Sequence, residues 1–90
     1  MIDANFILDR YNILLIKVNF PESTNIHELV LRDDKDEIYI KQRVQNNSIT
    51  PFNFLKVFKY NIQLFSFNGD VIEMIEEKKF DISNHNFNIR

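Results

Sequence analysis

The chain contains no cysteine and no tryptophan, and among its 90 residues there is one glycine and only two prolines. Without cysteine it can form neither a disulfide scaffold nor a thiolate metal centre. A single glycine excludes a glycine-rich phosphate loop, which needs several backbone positions free of a Cβ. An acidic residue, Asp3, follows directly on Met1-Ile2, so no cationic segment leads into an apolar one and no signal peptide is expected. The longest unbroken apolar run, Ile13 to Ile16, falls far short of the roughly 20 residues that span a bilayer. An excess of positive charge is missing too. Eleven basic residues face 13 acidic ones, for a net charge of −2 and a pI near 5.6. That balance disfavours a nucleic-acid partner, which selects basic surfaces. The expected setting is the cytoplasm or a virion.

What is present describes an ordinary folded domain. The hydrophobic fraction is 44% and the charged fraction 27%, both normal for a globular chain and too apolar for disorder. The length fits one domain, expected over residues 1–82, with 83–90 as a tail or an added edge strand. At roughly 0.05–0.15 kcal/mol per residue, its net stability should be about 5–13 kcal/mol. Thirteen isoleucines and 12 asparagines point to an AT-rich coding bias; the asparagines are dispersed and form no low-complexity tract.

No apolar stripe of helical period runs far enough to make a convincing helix, whereas two-residue alternation recurs along the chain. A short strand is expected at Asn5–Leu8. A second follows at Tyr11–Phe20, where Leu14, Ile16, Val18 and Phe20 share one parity and Lys17 and Asn19 the other. Pro21 ends it. His27–Arg32 and Glu37–Val44 form a hairpin across the acidic turn Asp33-Asp34-Lys35-Asp36, with Ile38, Ile40 and Val44 inward and Tyr39, Lys41 and Arg43 outward. Ile49–Leu55 carries Pro51 and is expected to be an edge strand or an irregular crossing.

The clearest unit is the last. Phe58, Tyr60, Ile62 and Leu64 alternate with Lys59, Asn61 and Gln63, and Asn68-Gly69 leads into Val71–Ile82. A two-residue turn at Asn68-Gly69 would set Leu64 against Glu73. A three-residue loop, Phe67-Asn68-Gly69, instead sets Leu64 against Ile72 and Ile62 against Met74, with Phe65 across from Val71. The second register keeps apolar residues on one face and is the one expected.

Six or seven short antiparallel strands fit an all-β sandwich, with a small β-barrel as the alternative closure. Leu55 to Ile82, LKVFKYNIQLFSFNGDVIEMIEEKKFDI, resembles the final hairpin of immunoglobulin-like and fibronectin-III-like modules, with Tyr60, Ile62, Leu64, Gly69, Phe80 and Ile82 at matching positions. The inter-sheet cysteines and the buried tryptophan of antibody domains have no counterpart. The resemblance implies a stand-alone module such as a tailed-phage virion accessory or decoration protein, or an accessory domain of glycan-handling bacterial proteins.

Few residues suggest chemistry. Asp33, Asp34, Asp36 and Glu37 are the only dense carboxylate cluster, but Lys35 interrupts it and EF-hand spacing is absent, so a solvated turn is expected rather than a Ca²⁺ site. His27 and His85 lie far from each other in sequence and are expected at the surface. Tyr39, Lys41, Arg43, Lys56, Lys59 and Tyr60 mix cations with aromatics as a single-stranded nucleic-acid platform would, although Tyr60 should face the core. The run Glu76-Glu77-Lys78-Lys79 reads as edge protection. With no signal peptide expected, the sequon Asn46-Asn47-Ser48 carries no weight.

The expectation is therefore a non-enzymatic structural or interaction module without metal or cofactor. Its partners would be other protein subunits, in a homo- or hetero-oligomer, with no role for a membrane. The apolar residues offered for such an interface are Phe52, Phe54, Phe65, Phe67, Val71, Ile75, Phe87 and Ile89. The alternatives are a single-stranded nucleic-acid-binding β-barrel and a carbohydrate-binding accessory module using Tyr11 or Tyr39 as a stacking platform.

Overall fold

A computed structural model describes residues 1–7, 13–52 and 59–81. Among these residues seven strands form: β1 (Ile2–Ile7), β2 (Ile13–Val18), β3 (Ile26–Arg32), β4 (Ile38–Val44), β5 (Ile49–Phe52), β6 (Lys59–Asn68) and β7 (Val71–Asp81). Every pairing is antiparallel. The strands divide into a three-stranded sheet, β1-β2-β5, and a four-stranded sheet, β4-β3-β6-β7. No helix occurs among the described residues. The chain is an all-β, antiparallel two-sheet fold, as the alternation predicts.

The two central alternating strands supply the facing layers. β2 buries Leu14, Ile16 and Val18 and turns Lys17 to solvent. β6 buries Tyr60, Ile62, Leu64 and Ser66, with Asn61, Gln63, Phe65 and Phe67 on the opposite side. Leu29 and Leu31 of β3 complete the fully buried set. These side chains come from both sheets and interdigitate between them, which is how a sandwich of this size excludes water.

Three register details depart from the sequence expectation. In β5, Pro51 does lie on an edge strand, opposite Leu15. Phe52 then stands opposite Leu14 on the inward face and is only 5% exposed, so it belongs to the core and not to a surface. In β4, a shift between Leu31 and Arg32 pairs Leu31 with Ile40 but Arg32 with Ile38. Ile38 therefore leaves the inward face and stands 48% exposed, while Tyr39 packs against the core.

The third departure is the largest. The final hairpin turns at Gly69-Asp70, pairing Asn68 with Val71, Phe67 with Ile72 and Phe65 with Met74. Of the two turn residues only Gly69 has a positive φ, at 60°, the signature of a type II′ turn, in which glycine takes the first central position. The register then slips between Leu64 and Phe65, so that Leu64 faces Glu76 and Ile62 faces Lys78. Ile75 is the extra residue of a β-bulge. The expected pairs, Leu64 with Ile72 and Ile62 with Met74, do not form, because the loop has two residues rather than three and the extra residue lies within β7. The bulge switches the parity of β7. Ile72 and Met74 share the outer face with Phe67 and Phe65, whereas Phe80, beyond the bulge, turns inward beside Tyr60.

Leu64→Ala removes a fully buried side chain and should lower the unfolding free energy in urea by about 2–5 kcal/mol. Val71→Ala, at a position 65% exposed, should change it by no more than about 0.5 kcal/mol.

Candidate functional site

The outer face of the four-stranded sheet divides into an apolar half and a polar half. In the apolar half, near the Gly69-Asp70 turn, Ile26, Phe67 and Ile72 form one cross-strand row, and Phe65 and Met74 continue the next beyond Glu28. Ile72 is 62% exposed, while Met74 and Ile26 are each nearly half exposed. Phe65 and Phe67 are half-buried between them. Val71 and Ile75 are exposed on the same strand.

Of the residues expected at an interface, Phe65, Phe67, Val71 and Ile75 thus lie on this hairpin, although Phe65 is opposite Met74 and not Val71. Phe54, Phe87 and Ile89, and the 83–90 segment itself, lie outside the described residues. Ile26, Ile72 and Met74 escaped the sequence reading. The three-residue loop turns the last two inward, whereas the two-residue turn and the bulge in β7 turn them outward.

The polar half is a hydrogen-bonded ladder across three strands. Arg32 Nε donates to Gln63 Oε1 at 3.0 Å, Gln63 Nε2 donates to Glu77 Oε2 at 2.8 Å, and Asn61 Nδ2 donates to the same carboxylate oxygen at 2.9 Å. The amide donors of Gln63 and then Asn61, helped by nearby Lys79, hold the Glu77 carboxyl below the usual glutamate range.

On the inward side of β7 the neighbouring charges act differently. The backbone N–H of Ile2 donates to Glu76 Oε2 at 2.6 Å, and Lys78 Nζ donates to the Ile2 carbonyl at 3.5 Å. The edge strand of one sheet is thus held to the edge strand of the other by two oppositely charged side chains. The expected edge protection by the 76–79 run takes this form, with the charges split between the faces.

The acidic turn is occupied by its own backbone. Asp33 Oδ1 accepts from the amides of Lys35 and Glu37, each at 2.9 Å, and Asp36 takes a positive φ of 64°. That is the Asx-type geometry of a solvated turn. Among the described residues no group of three or more His, Asp or Glu is arranged to hold a metal ion.

The platform of cations and aromatics does not assemble among the described residues. Tyr60 is buried as expected. Tyr39 is half-buried with its ring 6.4 Å from that of Tyr60, while Lys41 and Arg43 lie on the exposed part of β4. Lys56 and Tyr11 lie outside the described residues. His27 is a correction: it is only 5% exposed, with its ring stacked on Phe20 at a centroid distance of 3.6 Å and 13° between planes. Its parity with Leu29 and Leu31 turns it inward, and Phe20 closes over it. His85 lies outside the described residues.

The stacked pair borders a hollow of about 630 Å³ at the end of the sandwich where 19–25 and 45–48 approach each other. A second hollow, about 470 Å³, lies at the opposite end between the acidic turn and Lys59, Lys79 and Asp81.

No family model matches the chain, and neither a curated protein nor a solved structure resembles it closely enough to count as a match.

Because the folded-state pKa of Glu77 is depressed, its contribution to stability is present above the ordinary glutamate pKa and is lost as pH falls through the folded value. An NMR titration of its side-chain carboxyl should show a midpoint below the ordinary glutamate value. Gln63→Ala should move the midpoint up toward the ordinary value.

Proposed function

We propose that this chain is a non-enzymatic protein-binding module that works through the apolar half of its four-stranded sheet, as a subunit or accessory of a larger assembly. One observation carries the reading: Ile26, Phe65, Phe67, Ile72 and Met74 stand side by side on an outer face, at the tip of the longest hairpin, with three of them about half or more exposed. Contiguous exposed apolar surface on a small domain marks a place where another surface docks. Complete burial of an Ile or Met side chain is worth about 1.5–3 kcal/mol, so covering the open parts of Ile26, Ile72 and Met74 would return roughly 2–4 kcal/mol. That suits a contact completed by neighbouring polar groups, which Glu28 and Arg43 provide in the adjoining row.

The strand order supports kinship with the immunoglobulin-like and fibronectin-III-like modules. In the letters of that fold, β1-β2-β5 reads A-B-E and β4-β3-β6-β7 reads C′-C-F-G, with the fourth strand paired to the third. Fold kinship does not set function. A decoration or accessory subunit of a virion is the setting the resemblance suggests, and the hairpin patch supplies the kind of surface such a subunit needs.

For the purified chain, the most available protein surface is another copy. Light scattering should show a particle size that rises with concentration. Ile72→Lys and Met74→Lys, both at exposed positions, should each abolish that rise while leaving the urea midpoint nearly unchanged. A wild-type chain that stays monomeric at every concentration, with no difference from either variant, would remove the support for this reading.

A further inference from the structure

We propose that the hollow beside Phe20 and His27 is a binding site for a neutral saccharide, separate from the apolar sheet face. Its position comes from the fold. The β2–β3 connection (19–25) and the β4–β5 turn (45–48) meet at one end of the sandwich and border an open hollow of about 630 Å³. Loops held at one end of a rigid sheet pair are the usual place for recognition.

The 45–48 turn is fixed to the end of β2. Val18 N–H donates to the Ser48 carbonyl at 3.1 Å, and Asn47 N–H donates to the Val18 carbonyl at 2.9 Å. Asn47 adopts a φ of 60°, a left-handed conformation that asparagine tolerates better than most residues. That wall is therefore set before any ligand arrives, which lowers the ordering cost of binding.

The chemistry of the lining selects the ligand class. Three asparagines line the hollow, and the side-chain amide of each is anchored through one of its two ends. Asn46 Oδ1 accepts from the Phe20 N–H at 2.9 Å, Asn47 Oδ1 accepts from Asn19 Nδ2, and Asn25 Nδ2 donates to Ser66 Oγ at 2.9 Å. The other ends, Nδ2 of Asn46 and of Asn47 and Oδ1 of Asn25, offer donors and an acceptor already held in place. Glu22 adds one carboxylate at the rim. Vicinal hydroxyls of a sugar both donate and accept, and planar amides and carboxylates match that pairing. Phe20, braced from behind by the His27 ring, gives a flat apolar surface for the C–H face of a pyranose. The described lining contains no Lys or Arg, so a phosphate or sulfate ester has no counter-charge there.

The test is a ¹⁵N chemical-shift titration of the full chain with cellobiose, maltose and N,N′-diacetylchitobiose at millimolar concentrations, and with inorganic phosphate as the anionic control. The proposal expects saturable shifts confined to 19–27 and 44–48 with at least one disaccharide, and none there with phosphate. Asn46→Ala should weaken that binding about tenfold. Glu22→Gln, at an exposed rim position where folding is not at stake, should weaken it several-fold. Three results each overturn the proposal: no saturable shift with any of the three sugars, shifts centred on the outer sheet face, or phosphate shifting the same amides.

Discussion

The structure depends on one constraint: the inward side chains of β2 and β6 must fill the same thin layer from opposite sheets. Leu14, Ile16 and Val18 come from one side, and Tyr60, Ile62 and Leu64 from the other. A domain of this length buries only about 60–65% of its unfolded surface, so it has no second layer to fall back on. Both strands therefore keep strict two-residue alternation, and their neighbours adjust to them. β5 supplies Phe52 opposite Leu14, and β3 supplies Leu29 and Leu31 beside Leu64 and Ile62. Where a neighbour's own sequence does not match that alternation, its backbone gives way, as β4 does at Tyr39 and β7 does at Ile75.

The bulge in β7 reconciles two demands on one edge strand. Toward Asp81, β7 must turn Phe80 to the core and set Glu76 and Lys78 against the backbone of Ile2. Toward the turn, beyond the slip in register, its apolar residues face outward beside Phe65 and Phe67. An open sheet edge invites unwanted pairing, and inward-pointing charges are one way to block it. Here the same charges also satisfy the N–H and C=O of the neighbouring sheet's edge. The cross-strand ladder of Arg32, Gln63, Asn61 and Glu77 makes the far half of the outer face polar, which confines the apolar surface to the hairpin tip.

Much of the fold was legible in the sequence, and the reasons are local. Alternation over Leu14–Val18 and Tyr60–Leu64, the proline at 51 and the polar 33–37 turn each carry their meaning within a few residues. What was hidden depends on pairing. A bulge adds one residue without any signature of its own, so Ile72 and Met74 were read as inward when they face out, and Glu76 and Lys78 went unread as inward. Phe52 was read as surface because its burial comes from Leu14 on another strand. His27 was read as exposed because histidine usually is, yet its parity with Leu29 already placed it inward, and Phe20 lies seven positions upstream. The hollow at that end was invisible for the same reason, since its two walls are some twenty residues apart.

Both the closed edge and the exposed apolar tip follow from the parity switch in β7. Cross-strand proton–proton contacts in a NOESY spectrum test it directly. The expected contacts are Phe65 with Met74 and Phe67 with Ile72 on one side of the bulge, and Leu64 with Glu76 and Ile62 with Lys78 on the other. Contacts of Leu64 with Ile72 and Ile62 with Met74 would contradict it.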